Sequence, residues 1–532
     1  MSNAPRASHP ADGAPTASAR SHQRARGIYY TPDFAARAMA RWAMQGHSQA
    51  HVLEPSTGEG VFIKALHKVA SESGCALTIT GVEWSAETLH EVVEQKLLEP
   101  KHAICSDFLA VEPFPVQAVI GNPPYVRLRH GPANEAERAL QRAEDALGEK
   151  MDPSGSLWMP FILHASRFLT PGGRLAYVLP YDITYVRYAR VLWEFLGKSF
   201  GSLRVVRVAE RIFPDILQET VLLYADDYGG STNAIHYDVF DTCARFLEGK
   251  PTLHEDIPLA DVVAGERCFI ETLLGEELRE LLREVVEPAT VSVADLATIR
   301  IGYVAGDKTF FHPSRETVAE YGIASTSLRA ALTSSRQLAR KGIRTSRCQP
   351  NDLFLPNAGQ LGAGERRYIA RGEALGASSG YKCRNREPWF VVPDVRTPDL
   401  IFPAFTQHPL VLINDAELAA SNSLLCAYVR LEHSRESFVA SWYSSLTALQ
   451  LELHVHSLGG GVLALAPREI SGMRLVPHAS PSSRLLERLD TLVSAGAISE
   501  ALRLGDEKVL APALGLSLDP PVLSGGGRRM TS

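Results

Sequence analysis

The stretch HVLEPSTGEGVF, residues 51 to 62, leaves an apolar run through a short turn holding two glycines and enters a second apolar series. Residues 51 to 55 read as a buried strand. Residues 60 to 71 read as the helix behind it, because Phe62, Ile63, Leu66, Val69 and Ala70 recur at helical spacing. The alternation then repeats: LTITGVE (77–83) predicts a second strand, and SAETLHEVVEQKLL (85–98) a second helix with Ser85 as its N-cap. HAICSDF (102–108) and AVIGN (118–122) are strands three and four. After a charged insert, GPANEAERALQRAEDALGEK, a helix is expected over 156–169, ended by TPGG, with RLAYVLP (174–180) as strand five. LRVVRVAER and TVLLYADDY, flanking IFPDILQE, predict a terminal hairpin. Strands alternating with helices imply an α/β fold with a doubly wound, seven-stranded sheet.

A chain of 532 residues exceeds what one core organises, so two or three domains are expected. Residues 1–24 and 516–532, rich in small and polar residues, predict a disordered leader and tail. Residues 25–235 form the first domain, and 236–515, where short strand candidates, turns and helices mix, a second of α+β type. Within it, 482–501 reads as helical. Seven cysteines without a CxxC pair argue against a disulfide framework or a structural zinc site, and fit a reducing, cytoplasmic setting with no metal. No apolar run reaches the roughly 20 residues that cross a bilayer.

Ligands of open parallel sheets sit beyond the carboxyl ends of the strands, near the switch point. Glu54, Glu83 and Asp107 end the first three strands. Gly58 and Gly60 let a ligand approach the backbone, yet Ile63 stands where a GxGxxG dinucleotide fingerprint needs glycine, and no GK[ST] follows. Acids beside glycines suit a ligand with ribose hydroxyls and a positive centre, such as S-adenosylmethionine. Glu83 would accept the ribose hydroxyls. Asp107 would accept the adenine amino group of the cofactor, with Phe108 against the ring. Strand-end carboxylates also serve as caps, but three in succession favour a pocket. Ser56 and Trp84 border it, and Thr31, with Pro32 as the first helical residue, would aim a helix start at the methionine carboxylate.

The turn after strand four reads Asn122-Pro123-Pro124-Tyr125. It resembles the (N/D)PP(Y/F) motif of amino-methyltransferases, and VLEPSTGEGVF resembles their cofactor motif. The order YYTP, glycine loop, Glu83, SDF, NPPY and a large C-terminal region is similar to that of the gamma class of N6-adenine DNA methyltransferases, with the TaqI enzyme as a familiar member. The resemblance covers the first 230 residues well and the remainder in outline. It implies a class I S-adenosylmethionine-dependent fold in which the Asn122 side chain and Pro123 carbonyl accept the hydrogens of a flipped adenine, Pro124 lines the cofactor side and Tyr125 stacks on the base. A Phe-Pro pair before the last strand supplies the second face in such enzymes, and Phe213-Pro214 stands in that relationship.

NPPY also occurs in enzymes that methylate protein glutamine or ribosomal RNA, so it does not choose the substrate. The long C-terminal half argues for duplex DNA. It carries Arg336, Arg340, Lys341, Arg344 and Arg347 in one acid-free run and Lys382, Arg384 and Arg386 in another, with Trp389 and Phe390 beside the second. These, with Arg127 and Arg129 after NPPY, are the candidate DNA contacts, although net charge is −6. With no room for a nuclease before YYTP, the expected role is a monomeric modification enzyme protecting DNA from a separate restriction endonuclease. Its length and layout resemble the XhoI group, which acts on CTCGAG. A non-catalytic DNA-binding relative is the contrasting reading.

Overall fold

Strand β1 (Gln49–Glu54) occupies the middle of a nine-stranded sheet whose order is β3-β2-β1-β4-β5-β7-β6-β8-β9. The others are β2 (Ala76–Glu83), β3 (Ala103–Cys105), β4 (Val116–Gly121), β5 (Leu169–Pro180), β6 (Phe200–Val208), β7 (Thr220–Tyr228), β8 (Ala234–Phe240) and β9 (Leu253–Pro258). This computed structural model describes residues 31–130, 132–210, 212, 219–266, 268–457, 462–477 and 481–516. The leader, the tail from residue 517 and Phe213-Pro214 lie outside them.

β1, β2, β3, β4 and β5 run parallel, and β7 inserts antiparallel between β5 and β6. That is the class I S-adenosylmethionine-dependent methyltransferase sheet expected above. The order reverses between β1 and β4, which places the switch point at Glu54 and Gly121. Helices cover both faces. α1 (Asp33–Met44) and α2 (Val61–Ser73) bury Met39, Ala40, Phe62, Ile63 and Leu66, while α3 (Ala86–Glu94) starts at Ser85, whose hydroxyl accepts the Thr88 amide at 3.3 Å.

Four expectations are corrected. The sheet does not stop at seven strands or at residue 235: β8 pairs parallel with β6 and β9 antiparallel with β8. Ile235, Tyr237 and Val239 extend the core of Leu203 and Val205, Phe269 packs against Trp193 and Tyr237, and the unit closes at Leu273. Strand three is shorter than expected, because Asp107 caps the Leu109 amide and turns the chain into a single helical turn over Phe108–Ala110. The charged insert forms α4 (Ala133–Leu147) ahead of α5 (Trp158–Ser166). At α1 the N-cap is Pro32, whose carbonyl takes the Ala35 and Ala36 amides at 3.1 Å, so Thr31 lies outside the helix.

The second unit, from Leu274, is mixed as expected. Ala297–Ile301, Leu424–Val429, Leu400–Pro403 and Leu412–Ile413 form an antiparallel sheet, and Asn351–Phe354, Leu328–Leu332 and Ala419–Ala420 a smaller mixed one. The late helix divides into Ser483–Ala495 and Ile498–Gly505 at Gly496, whose φ of 78° ends the first piece. All seven cysteines are free thiols. Among the described residues no helix is long and apolar enough to cross a membrane.

Candidate active site

Gly121 ends β4 without a side chain, and a Cβ there would meet Pro55 Cδ and Tyr177 Cε1 at 3.3 Å. The loop after β1 and the loop after β4 therefore press together. Ser56 Oγ donates to the Asn122 main-chain carbonyl at 3.1 Å, tying the glycine loop to the NPPY turn. From the other side, Asn122 Nδ2 donates to the Thr31 hydroxyl at 3.3 Å. Thr31 thus serves the NPPY turn instead of capping α1.

The glycine loop is stitched to β2. Thr57 donates both its amide (3.0 Å) and its hydroxyl (3.1 Å) to the Val82 carbonyl, and Gly58 N donates to Glu83 Oε2 at 3.0 Å. Ser85 N donates to the other Glu83 oxygen at 3.0 Å, so that carboxylate is held in one orientation. Gly81 makes this approach possible, since a Cβ there would lie 2.5 Å from Leu98 Cδ1 and 2.7 Å from Thr57 Oγ1. Gly58, at φ 51°, faces open space, whereas Gly60, at φ 75°, starts α2 against Leu97 and Val92.

Glu54 has no such support. It is 1% exposed, and its Oε2 has no hydrogen-bond partner among the described residues. Burial, and then the neighbouring Glu83, push its carboxyl well above the usual carboxylate range. The Tyr177 phenol, fully buried and without a hydrogen-bond partner among the described residues, is also pushed well up, by burial first and then by Glu54. A buried acid lacking a partner, beside an open glycine wall and a fixed second acid, fits a ligand carrying both a cation and hydroxyls.

At the third strand end, Asp107 accepts the Leu109 amide at 3.0 Å and an ion pair from Arg138 at 2.7 Å. One turn along α4, Arg142 donates to the Leu109 carbonyl at 2.9 Å and pairs with Glu112 at 2.7 Å. Sequence reasoning missed both arginines; the charged insert was their only signal. Phe108 is buried among Phe161, His164 and Phe168, with ring centroids 4.9–5.5 Å away. His164 is lowered to about 4, chiefly by burial. Trp84, directly after Glu83, is 55% exposed and offers an indole face at this end of the sheet.

In the NPPY turn Pro123 is buried and Pro124 half-buried, while Tyr125 packs against the main core. The next residue is anchored, since Leu157 N and Ser156 Oγ donate to the Val126 carbonyl at 2.8 and 3.0 Å. Arg127 is engaged inside the unit, 5.2 Å over the Tyr188 ring and 3.4 Å from the Ser154 carbonyl, whereas Arg129 is exposed.

The basic runs of the second unit divide similarly. Arg347 pairs with Asp490 at 2.6 Å and donates to Ser494, and Arg344 lies 3.8 Å from Asp415. Arg386 donates to the carbonyls of Val304 and Ala305 at 2.6 and 2.7 Å. Trp389 and Phe390 pack in the interior beside Phe310. Arg336, Arg340, Lys382 and Arg384 are exposed, Lys341 is half-buried, and none of the five forms an ion pair among the described residues. Lys382 and Arg384 flank the exposed Tyr381 ring at 5.6 and 5.4 Å.

Two family models account for most of the chain. Residues 62–213 match the Eco57I restriction-modification methylase, and residues 266–510 match the C-terminal domain of the type II methyltransferase M.Eco57I. Over both stretches the chain is similar to type II restriction-modification methyltransferases. Among curated relatives, the type II methyltransferase M.AccI of Acinetobacter calcoaceticus is 21% identical over 484 residues, covering 85% of this chain and 86% of its own length. M.BstVI of Geobacillus stearothermophilus is 22% identical over 417 residues, covering 68% and 72%. Among solved structures, the type IIL restriction-modification enzyme MmeI in complex with DNA superposes with a TM-score of 0.52 at 12% identity, covering 92% of this chain and 73% of its own. The fold is therefore shared well beyond recognisable sequence identity.

Proposed function

We propose that this methyltransferase acts on duplex DNA and transfers a methyl group from S-adenosylmethionine to the N6 amino group of an adenine turned out of the helix. The observation that carries the reading is the contact of Asn122 with Ser56 on one side and Thr31 on the other, which holds the NPPY turn beside the acid-lined glycine loop. The DNA-bound structure of MmeI supports DNA as substrate.

When bound, S-adenosylmethionine supplies an electrophilic methyl group. Glu54 would face its ammonium and Glu83 its ribose hydroxyls; Asp107, Phe108, Trp84 and Pro124 would border its adenine and methyl ends. The Thr31 hydroxyl accepts from Asn122 Nδ2, which sets the amide so that Oδ1 is its acceptor atom. Asn122 Oδ1 and the Pro123 carbonyl take the two amino hydrogens, drawing the nitrogen toward tetrahedral geometry and aiming its lone pair. Once alkylated, that nitrogen is acidic enough to release a proton to solvent. Rate enhancement comes from placement and preorganised acceptors.

Tyr125 and Phe213 would sandwich the extruded base. The second unit would serve as the target-recognition domain, with Arg336, Arg340, Lys341, Lys382 and Arg384 as its phosphate contacts. Arg344, Arg347 and Arg386 act there chiefly as scaffold, as Arg127 does in the first unit. The biological role is protection of DNA, by a cytoplasmic monomer, from a separate endonuclease; a CTCGAG target of the XhoI type remains a proposal from layout.

Transfer of labelled methyl from cofactor to duplex DNA, followed by nucleoside analysis, tests the reading. Labelled N6-methyladenine is expected. Label confined to RNA or protein would overturn it, and label in cytosine would change the target base.

A further inference from the structure

On the outward face of the β8–β9 hairpin, strand register sets His236 opposite Asp256 and Asp238 opposite His254. Side chains two apart on a strand share a face, so the HxD of β8 and the HxD of β9 (His254 and Asp256) make a chequered square of two imidazoles and two carboxylates. The inward residues Ile235, Tyr237 and Ile257 belong to the core, which fixes the strands beneath the square.

Each imidazole is already oriented. His236 Nδ1 lies 2.6 Å from Asp256 Oδ1, and His254 Nδ1 lies 2.6 Å from Asp238 Oδ1. A neutral His254 ring that donates Nδ1–H to Asp238 keeps an Nε2 lone pair for coordination, the arrangement that supports metal-binding histidines, whereas at His236 an ion would take the place of the proton between Nδ1 and Asp256. Asp238 is anchored in turn, with its side chain 2% exposed and paired with Arg204. Arg204 offsets the charge of Asp238, leaving Asp256 as the square's net negative charge toward solvent. The two rings are nearly parallel, 12° apart with centroids at 6.3 Å, and ligand atoms of His236, His254 and Asp256 all lie within 4.8 Å of one another. Ligand atoms at about 2.0–2.1 Å from one tetrahedral ion stand closer together than that. The closure falls on three solvent-facing side chains carried by a rigid sheet.

We propose that His236, His254 and Asp256 form a binding site for a borderline divalent transition-metal ion, such as zinc, cobalt(II) or nickel(II), with Asp238 as the residue that orients His254. Two imidazoles and one carboxylate select such ions over magnesium or calcium, which favour all-oxygen shells. The site bridges the two outermost strands of the sheet, so a bound ion staples β9 to β8. It is separate from the glycine loop and the NPPY turn, at strands on the far side of the sheet order from β1.

The test titrates zinc and cobalt(II) into the chelator-treated full chain, carrying no histidine tag, with calorimetry and visible absorption as readouts. One equivalent bound with a micromolar dissociation constant, and a cobalt spectrum without a thiolate charge-transfer band, is expected. The double variant His236→Ala/His254→Ala should lose about 30-fold or more in affinity while keeping its far-ultraviolet circular dichroism. Asp238→Asn, by misorienting one ring, should lose about tenfold. Saturating zinc should raise the melting temperature of the wild-type chain and leave that of the double variant unchanged. Unchanged affinity in the double variant, a thiolate band showing that the cysteines take the ion, or no binding below about 100 μM would each overturn the proposal.

Discussion

Ser56 donates its hydroxyl to the main-chain carbonyl of Asn122 at 3.1 Å, so the loop that would hold the cofactor and the turn that would hold the target nucleotide are joined by one hydrogen bond. Binding and chemistry are accordingly separable by mutation only where a side chain serves one loop alone.

Asn122→Ala removes the side-chain acceptor and leaves the carbonyl that Ser56 bonds. Turnover should fall by about 10²–10³ or more, the effect of losing one preorganised hydrogen-bonding group, with cofactor dissociation constant within about twofold of wild type. Ser56→Ala should shift both quantities. Single-turnover methylation together with calorimetric cofactor binding distinguishes them, and equal loss of cofactor affinity in both variants would contradict the assignment of roles.

Glu54 and Glu83 are unequal acids. Glu83 accepts two backbone amides, while Glu54 is buried, with one oxygen unpartnered among the described residues, and is pushed well up by burial and by Glu83. Because its carboxyl is raised in the folded chain, its stabilising contribution is complete below pH 4.5 and is lost as pH rises through the folded-state value. An arriving ammonium favours the ionised form, so cofactor binding below that value releases a proton and tightens as pH rises. Calorimetry in two buffers of different ionisation enthalpy should show the release. Glu54→Gln should abolish it and weaken binding by about ten- to a hundredfold, the worth of a hydrogen bond to a charged group.

Tyr125→Ala removes the proposed stacking face. Base stacking on an aromatic side chain is worth about 1–3 kcal/mol, so the fluorescence rise of 2-aminopurine at the target position should require about tenfold more enzyme. Cofactor affinity should not move.

The basic residues of the second unit should sort into two kinds. Lys382→Ala and Arg384→Ala are expected to weaken DNA binding for all sequences and to lower the slope of log affinity against log salt by about one each. Arg347→Ala strands Asp490, a partner that also accepts the Ile343 amide, and Arg386→Ala leaves two carbonyls unserved. For these two the melting temperature should fall by a few degrees, with the salt slope unchanged.

Much of this was legible from the chain alone. Ser85 announces a helix, the apolar spacing from Phe62 to Ala70 announces another, and Glu54 and Glu83 end the first two strands where the alternation puts them. Those signals are local, because a period or a cap is set by residues a few positions apart. Only the tertiary structure decided the partners. Thr31 reads as a cap, yet its hydroxyl meets Asn122, 91 residues on; Arg347 reads as a DNA contact, yet it donates to Ser494, 147 residues on. Phe108 reads as a cofactor contact and is packed among three aromatic rings, while Arg138 was one charge of many and reaches Asp107. β8 and β9 read as the start of a second domain and complete the first sheet, since the open edge of β6 takes whichever strand brings matching apolar residues. Elements follow from chain neighbours, whereas the bonding of a polar side chain depends on which distant segment the core brings against it.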